Sequence, residues 1–298
     1  MPTLRDSLTA RLRAAGCVFA EDEAALLLEA AAGSKDAGRF DGPGSVRGPG
    51  ATNRAPSHEP SLDPGLLEAL VARRVGGEPL EHVLGWVAFA GRRWAVAPGV
   101  FVPRQRSELL VAQALAAVRP TTAERTTATV VVDLCCGNGA LGGAVAAALP
   151  GSGVVLHAVD LDRAATACAA QNLAPFGGVV HTGDLYAPLP LTLRGRVDLL
   201  LCHAPYVPTA AVALMPHEAR EHEPLTALDG GPDGLEILRR AIWEAPAWLA
   251  PGGSLLFEVG DDTQVAATTA LLRTAGLDAR ASHDEETGAT VVAGTRPR

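Results

Sequence analysis

The 298-residue chain lacks several features by which classes of protein are recognised. Its five cysteines form no C-x-x-C pair and no spacing typical of zinc ligands, so the sequence predicts neither a disulfide framework nor a metal site. No apolar run approaches the ~20 residues that a membrane-spanning helix needs. We therefore expect a reduced, cytoplasmic protein without a membrane segment.

The chain also has no excess of basic residues. The formal net charge is −8, and Lys35 is the only lysine among 25 basic residues. Proteins that bind nucleic acid usually gather its phosphates with clustered Lys and Arg. Nucleic acid is therefore disfavoured as a partner, although a local basic patch would be compatible with this composition.

A low-complexity segment interrupts the first part of the chain. Over residues 33–64, 15 of 32 residues are Gly, Pro or Ser. Such a segment buries too little apolar surface to offset its ordering entropy, so it is predicted to be a disordered insertion. It lies within a small helical domain, residues 1–84, where the apolar spacing predicts helices over 4–14, 21–32 and 66–75.

A connector over residues 85–106 leads to a larger domain, residues 107–298. The segment from 86 to 97 has the alternation of a short hairpin. Ser107 is placed to cap the helix that follows.

The larger domain alternates strands and helices. Strands are predicted over 130–134, 154–159, 179–182, 197–202 and 254–259, and helices over 140–149, 163–173, 233–248 and 263–275. This alternation gives a parallel α/β sheet with right-handed crossovers and helices on both faces. The chain ends in two strands joined by a short turn, 277–284 and 289–296, so one antiparallel strand is expected at or near the sheet edge.

A glycine-containing turn follows the first of these strands. The segment VVVDLCCGNGALGG, residues 130–143, reads as a strand, a tight turn and a helix start, with glycines at 137 and 139. Glycine lets the backbone approach a ligand, and the helix start offers unpaired N–H groups. Because the third glycine of the dinucleotide fingerprint is missing, a nucleoside-type cofactor and an ordinary turn both fit this segment alone.

Acidic residues follow the next two strands, at the sheet edge where open α/β folds bind ligands. Asp160 lies 21 residues after Gly139, where a carboxylate would accept hydrogen bonds from both ribose hydroxyls. Asp162 is predicted to cap the next helix. Asp184 would hold an adenine amino group, with Leu185 against the ring, or else serve as a turn residue.

The tetrapeptide HAPY, His203 to Tyr206, follows the fourth strand and is called the HAPY motif below. With the preceding acidic residues it resembles the site of amino methyltransferases that use S-adenosylmethionine. Segments 78–111, 221–242 and 255–264 resemble the protein N5-glutamine methyltransferases that modify peptide chain release factors. PRQRSE, from Pro103, matches the PRPDTE of that family, and HAPY its NPPY. The resemblance runs from about Glu78 to the C-terminus and weakly includes the first two helices.

The resemblance implies a Rossmann-like class I methyltransferase, with a mostly parallel seven-stranded sheet and a C-terminal antiparallel hairpin. It also implies S-adenosyl-L-methionine as cofactor, a protein substrate such as a release factor, and an N-terminal helical domain that docks this substrate. The cofactor contacts it implies are Asp133, Cys135, Cys136, Gly137, Asn138, Gly139, Asp160, Asp184, Leu185 and His203. Arg104 and Glu108 match the connector motif, which in the family lies near the methionine end of the cofactor; helix capping or a surface ion pair would account for them equally.

The catalytic residues implied are those of the HAPY motif: His203, Ala204, Pro205 and Tyr206. In the family, the asparagine carbonyl and the next backbone carbonyl accept both hydrogens of the glutamine amide, and the tyrosine stacks on the amide plane. His203 replaces that asparagine. A neutral imidazole has one acceptor nitrogen, so His203 could stand in for the carbonyl or act as a general base on a different nucleophile.

Three other acidic residues are candidates near the site. Glu221 and Glu223 lie in a loop that could cover the HAPY motif, and Glu258 ends the fifth predicted strand near the pocket. His217 and His222 flank the first two, but the set lacks a metal-ligand spacing.

Three functions remain as hypotheses. The first is methylation of a glutamine side chain in a release factor or a related protein. The second is N-methylation of another planar nitrogen, in another protein, a nucleobase or a small molecule. The third is a cofactor-binding protein that has lost or reduced catalysis because of His203.

Overall fold

The computed structural model of the chain describes residues 2–33, 62–118, 128–149 and 153–298. Apart from Gly33 and residues 62–64, the insertion predicted at 33–64 lies outside these residues. The chain divides into two compact units, Met1–Leu84 and Gly85–Arg298. No helix among the described residues is long and apolar enough to cross a membrane.

The first unit is a bundle of short helices. They are α1 (Leu4–Ala14), α2 (Ala20–Ala31), α3 (Pro64–Val75) and α4 (Leu80–Leu84). The three predicted helices are confirmed, whereas α4 was not predicted. Helix α3 begins two residues early because the Asp63 carboxylate accepts hydrogen bonds from the Gly65 and Leu66 N–H groups. Glu23 and Arg74 form a buried ion pair, with Arg74 Nε 2.6 Å from Glu23 Oε2.

The second unit begins with the predicted hairpin, formed by β1 (Trp86–Phe89) and β2 (Arg92–Ala95). Ala90 and Gly91 turn the chain with φ of 49° and 70°. The buried Trp94 ring anchors the hairpin, and its Nε1 donates a hydrogen bond to the Phe89 carbonyl. Helix α5 (Glu108–Ala117) follows.

A seven-stranded sheet forms the centre of the second unit. Its strands are β3 (Thr129–Leu134), β4 (Val154–Asp160), β5 (Val179–Thr182), β6 (Val197–Cys202), β7 (Leu249–Val259), β8 (Asp278–His283) and β9 (Thr290–Thr295). The strand order is β5-β4-β3-β6-β7-β9-β8, and β9 runs antiparallel to both of its neighbours. The predicted α/β fold, with an antiparallel strand near one edge, is therefore confirmed.

Helices cover both faces of this sheet. They are α5, α6 (Ala140–Ala148), α7 (Arg163–Leu173), α10 (Glu236–Trp248) and α11 (Asp262–Thr274). Two short helices, α8 (Thr209–Val212) and α9 (His217–His222), lie in the segment between β6 and α10. Successive strand residues point to opposite faces. Val131 therefore packs in one core with the hairpin, α5, α6 and α7, while Val132 packs in the other with α10 and α11.

Close approach of the hairpin to α6 depends on Gly143. A Cβ built at Gly143 would lie 2.4 Å from Trp94 Cζ3, and the Trp94 ring is fully buried. Gly143 thus lets the hairpin pack closely on α6, and this contact holds the hairpin and the rest of the connector against the sheet.

We expect Gly143→Ala to destabilise the protein by about 1–3 kcal/mol, although Gly to Ala within a helix normally stabilises by about 1 kcal/mol. Urea unfolding measures the difference. Gly65→Ala, whose Cβ would meet only the Asp63 side chain at 3.3 Å, is the control and should change stability by less than about 1 kcal/mol. An unchanged or raised stability of Gly143→Ala would contradict the close contact.

Candidate active site

A cavity of about 360 Å³ lies where the carboxyl ends of β3, β4 and β6 meet. Its size is within the ~300–1,000 Å³ typical of small-molecule sites. Most of the predicted site residues line it: Arg104, Cys135, Cys136, Gly137, Asn138, Asp160, Asp184, Leu185, His203, Ala204, Pro205 and Tyr206. Asp133, Gly139 and Glu108 do not line it.

The turn between β3 and α6 forms one wall of the cavity. Cys135 and Gly137 both have a φ of 54°. A Cβ at Gly137 would meet no atom within 4 Å, so its backbone faces open space. At Gly139 a Cβ would lie 3.1 Å from Leu173 Cγ, so this glycine allows α6 to pack on α7 instead.

Asp160 holds this turn in place at the end of β4. Its Oδ2 accepts a hydrogen bond from Gly137 N at 2.8 Å, and its Oδ1 accepts one from Asp162 N at 2.9 Å. Burial raises the pKa of Asp160 and outweighs these hydrogen bonds, which lower it. Asp162 itself caps α7, as predicted, through the Ala164 and Ala165 N–H groups. Open space at Gly137 beside this carboxylate fits a bound nucleoside.

Asp133 lies behind this wall. Its side chain is fully buried, and Oδ2 accepts a hydrogen bond from Gly142 N at 2.8 Å. Within the described residues, Oδ1 has no hydrogen-bond partner. Burial raises its pKa to about 7. In this position Asp133 supports the start of α6 rather than lining the cavity.

The loop after β5 supplies the opposite wall. Asp184 Oδ2 accepts a hydrogen bond from Arg240 Nη2 at 2.6 Å, and the Asp184 side chain is half exposed. Leu185 is buried with a φ of 45° and faces the cavity.

A buried carboxylate, Glu258, lies beside the HAPY motif. The parallel register pairs Cys202 with Phe257, so the next residue on each strand, His203 and Glu258, lie side by side. Glu258 Oε1 accepts hydrogen bonds from Tyr206 OH at 2.6 Å and from Arg106 Nε at 2.9 Å.

Ser107 completes these contacts, since its Oγ donates to Glu258 Oε2 at 2.7 Å. Burial alone would raise the pKa of Glu258, but its interactions with His203, Tyr206 and Ser107 outweigh burial and lower the pKa to about 2. The prediction that Ser107 caps α5 is wrong, because its hydroxyl is used by Glu258 and makes no cap hydrogen bond.

The hydrogen bonds around His203 assign its tautomer. Nε2 lies 3.4 Å from Ser107 Oγ and 3.6 Å from Glu258 Oε2. Ser107 already donates its proton to Glu258, so both neighbours of Nε2 are acceptors. Nε2 therefore carries the hydrogen in the neutral ring, and Nδ1 keeps its lone pair.

Tyr206 is held at both sides of its hydroxyl. It donates to Glu258 and accepts from Arg106 Nη2 at 2.5 Å. Burial and the Glu258 carboxylate raise its pKa, so the phenol stays neutral. Sequence reasoning missed Arg106 and the role of Ser107, although both lie in the PRQRSE segment.

The loop from Val207 to Gly230 covers part of the cavity. A hydrogen bond from Gly230 N to the Val207 carbonyl closes its neck, and Met215 lines the cavity. Glu223 is buried, whereas Glu221 is exposed. The predicted cover over the site is therefore present, with Glu223 as its inner carboxylate.

Glu108 lies outside the cavity lining, at the start of α5. Its Oε1 accepts a hydrogen bond from Ala90 N at 2.8 Å, which ties the hairpin turn to the start of α5. No group of three or more His, Cys, Asp or Glu side chains in the described ranges is arranged to hold a metal ion.

Comparisons with known proteins find methyltransferases. Residues 98–218 match the methyltransferase small domain family. The chain is 34% identical over 273 residues to a 4-amino-L-phenylalanine/4-methylamino-L-phenylalanine methyltransferase of Streptomyces pristinaespiralis, covering 88% of each chain. It is 38% identical over 204 residues to the release factor glutamine methyltransferase of Geobacter sulfurreducens, covering 67% of this chain and 68% of the relative. A ribosomal protein L11 methylase structure from Lactobacillus delbrueckii subsp. bulgaricus is 16% identical, with a TM-score of 0.47 over 68% of this chain and 84% of that one.

The fold and the site define an S-adenosylmethionine-dependent methyltransferase of class I. More specifically, the chain belongs to the release factor glutamine methyltransferase family. The resemblance found in the sequence is thus confirmed, and the cofactor is S-adenosyl-L-methionine.

We expect Asp160→Asn to raise the Kd for S-adenosylmethionine by about 10-fold or more, because an amide offers one acceptor oxygen where the carboxylate offers two. Calorimetry measures the Kd. Asp184→Asn is the comparison variant and should change it less than about threefold, since Arg240 already binds that half-exposed carboxylate. A folded Asp160→Asn protein with an unchanged Kd would exclude Asp160 as a ribose ligand.

Asp133 should make stability depend on pH. Its folded pKa of about 7 lies above the ordinary 3.8, so the stability from its bound proton is present below pH 3.8 and lost as pH rises through 7. Asp133→Asn removes this titration and keeps an acceptor for Gly142 N. We expect the free energy of unfolding of the variant, relative to that of the wild type, to be about 2–3 kcal/mol higher at pH 8 than at pH 5. Urea unfolding at both pH values tests this, and an equal difference at the two would contradict it.

Proposed function

We propose that the chain methylates the nitrogen of a primary aryl amine of the 4-aminophenylalanine type. The observation that carries this proposal is that His203 stands where the family motif NPPY has an asparagine amide, and that its Nε2 lies beside Glu258. The relative from Streptomyces pristinaespiralis, which covers 88% of this chain, supports the same substrate class.

A glutamine amide depends strongly on the position of the acceptors in its site. Its nitrogen lone pair is delocalised, so the enzyme must orient the nitrogen by accepting both of its hydrogens. In the family one of these acceptors is the asparagine carbonyl, and at that place His203 offers Nδ1 of a bulkier ring, because Nε2 carries the ring hydrogen; the second acceptor, the next backbone carbonyl, belongs here to Ala204.

An aryl amine depends less on the position of these acceptors. Its lone pair is only partly delocalised, so the nitrogen can attack without two carbonyl partners. S-adenosylmethionine, when bound, supplies an electrophilic methyl group and leaves as a neutral thioether. The nitrogen then carries a positive charge and one proton too many.

His203 is the residue assigned to take that proton, at Nδ1. The imidazolium that results lies 3.6 Å from the Glu258 carboxylate, which is ionised because its pKa is about 2. Ser107 and Arg106 keep Glu258 in place, while Tyr206 lines the cavity in which the amine would react. The network thus offers a positioned base and a counter-charge.

Glutamine methylation is the second candidate. Release factor glutamine methyltransferases at 38% identity support it, as do Pro205 and Tyr206, which match the NPPY of the family. In that case the helical unit Met1–Leu84 would dock the protein substrate.

The proposal is tested by incubating the protein with labelled S-adenosylmethionine and either 4-amino-L-phenylalanine or a bacterial release factor. We expect label on the amine and none on the factor. His203→Asn should lower kcat on the amine by about 10²-fold, the usual contribution of a positioned base. His283→Asn, at an exposed histidine of β8, is the control and should leave kcat unchanged.

Two outcomes contradict the proposal. Label on the release factor alone would favour glutamine methylation. Binding of S-adenosylmethionine without transfer to either acceptor would favour a protein that has lost turnover.

A further inference from the structure

A guanidinium and two rings lie together in the cavity wall. The Phe101 ring centroid is 5.5 Å from that of His203, and Arg104 Cζ is 5.0 Å from the Phe101 centroid. All three side chains line the cavity. Phe101 therefore contacts both His203, the proposed proton acceptor, and the Arg104 guanidinium.

Arg104 is held in this position by a buried carboxylate. Its Nη2 donates to Glu223 Oε2 at 2.6 Å, and Glu223 Oε1 accepts from Val102 N at 3.2 Å. The Glu223 side chain is 1% exposed, whereas that of Arg104 is 37% exposed. In the described part of the chain Arg104 makes no hydrogen bond through Nε or Nη1, so these donors can serve a ligand.

Arg106, the other guanidinium of the cavity, is committed differently. Its Nε binds Glu258 and its Nη2 binds Tyr206, which makes it a positioning residue for the proton-accepting network. Arg104 takes no part in that network.

Building on the proposed aryl amine methylation, we propose that Arg104 binds the carboxylate of the amino acid that accepts the methyl group, while Phe101 packs against its aryl ring. A planar guanidinium pairs with a carboxylate through parallel hydrogen bonds. A glutamine side chain within a protein has no such group to offer.

The distances to Phe101 set an upper limit on the length that the ligand must span. Standard bond lengths separate the aryl nitrogen of 4-aminophenylalanine from its carboxylate by roughly 8 Å. Because the His203 ring and Arg104 Cζ lie 5.5 Å and 5.0 Å from the same Phe101 centroid, their separation cannot exceed these two distances combined, which is longer than the ligand. An amino acid zwitterion also adds no net charge beside the Arg104–Glu223 pair.

The test compares two ligands by calorimetry on protein loaded with S-adenosylhomocysteine. One is 4-amino-L-phenylalanine and the other is 4-aminophenethylamine, the same molecule without its carboxylate. We expect the wild type to bind the first about 10- to 100-fold more tightly. Arg104→Gln should remove this preference while leaving the Kd for S-adenosylhomocysteine unchanged, and Arg273→Gln, at an exposed residue of α11, should keep the preference.

Each outcome has a separate meaning. Equal binding of the two ligands by the wild type overturns the carboxylate-binding role of Arg104, called the anchor here. Weaker binding of S-adenosylhomocysteine by Arg104→Gln also overturns it, because that result would assign Arg104 to the cofactor. Methyl transfer to both amines with equal kcat/KM overturns the anchor but leaves the proposed function. Carboxylate-dependent binding without methyl transfer overturns the proposed function alone, and binding of neither ligand overturns both.

Discussion

The buried carboxylate of Glu258 is the contact on which the arrangement of the active site depends. It receives hydrogen bonds from Arg106 at the end of the connector, from Ser107 next to it and from Tyr206 after β6, and it lies 3.6 Å from His203 Nε2. Two distant segments of the chain are thereby fixed around one charge. Because His203, Tyr206 and Ser107 lower its pKa to about 2, Glu258 is ionised throughout the physiological range and sets the tautomer of the histidine beside it.

The cofactor half of the site rests on a different principle, close backbone approach. Gly137 leaves open space beside Asp160, while Gly143 lets the hairpin pack against α6 through Trp94. Backbone N–H groups hold the Asp160 carboxylate from one side, so its orientation is fixed before any ligand binds. The two halves meet at His203, which lines the same cavity.

The alternating strands, the Asp162 cap and the HAPY motif were all predictable, because each depends on residues close together in the sequence. The roles of Asp133 and Ser107 were not. Both are set by burial and by partners that the fold brings near, Gly142 and Glu258. The sequence around an aspartate at a strand end is the same whether its side chain faces a ligand or lies beneath the turn, as Asp133 does. A serine before a helix is predicted to cap that helix, and only the fold shows that a buried carboxylate takes the hydroxyl of Ser107 instead.

The tautomer of His203 is the most direct test of this account. Nitrogen-15 NMR of histidine-labelled protein reports which ring nitrogen carries the hydrogen, and the His203 signals are identified by their loss in His203→Asn. The expected result is that the hydrogen of the neutral ring is on Nε2 and that Nδ1 is unprotonated. A neutral ring protonated at Nδ1 would contradict it, because Nε2 would then be the lone-pair nitrogen facing Glu258, and no base would remain for the methylated amine.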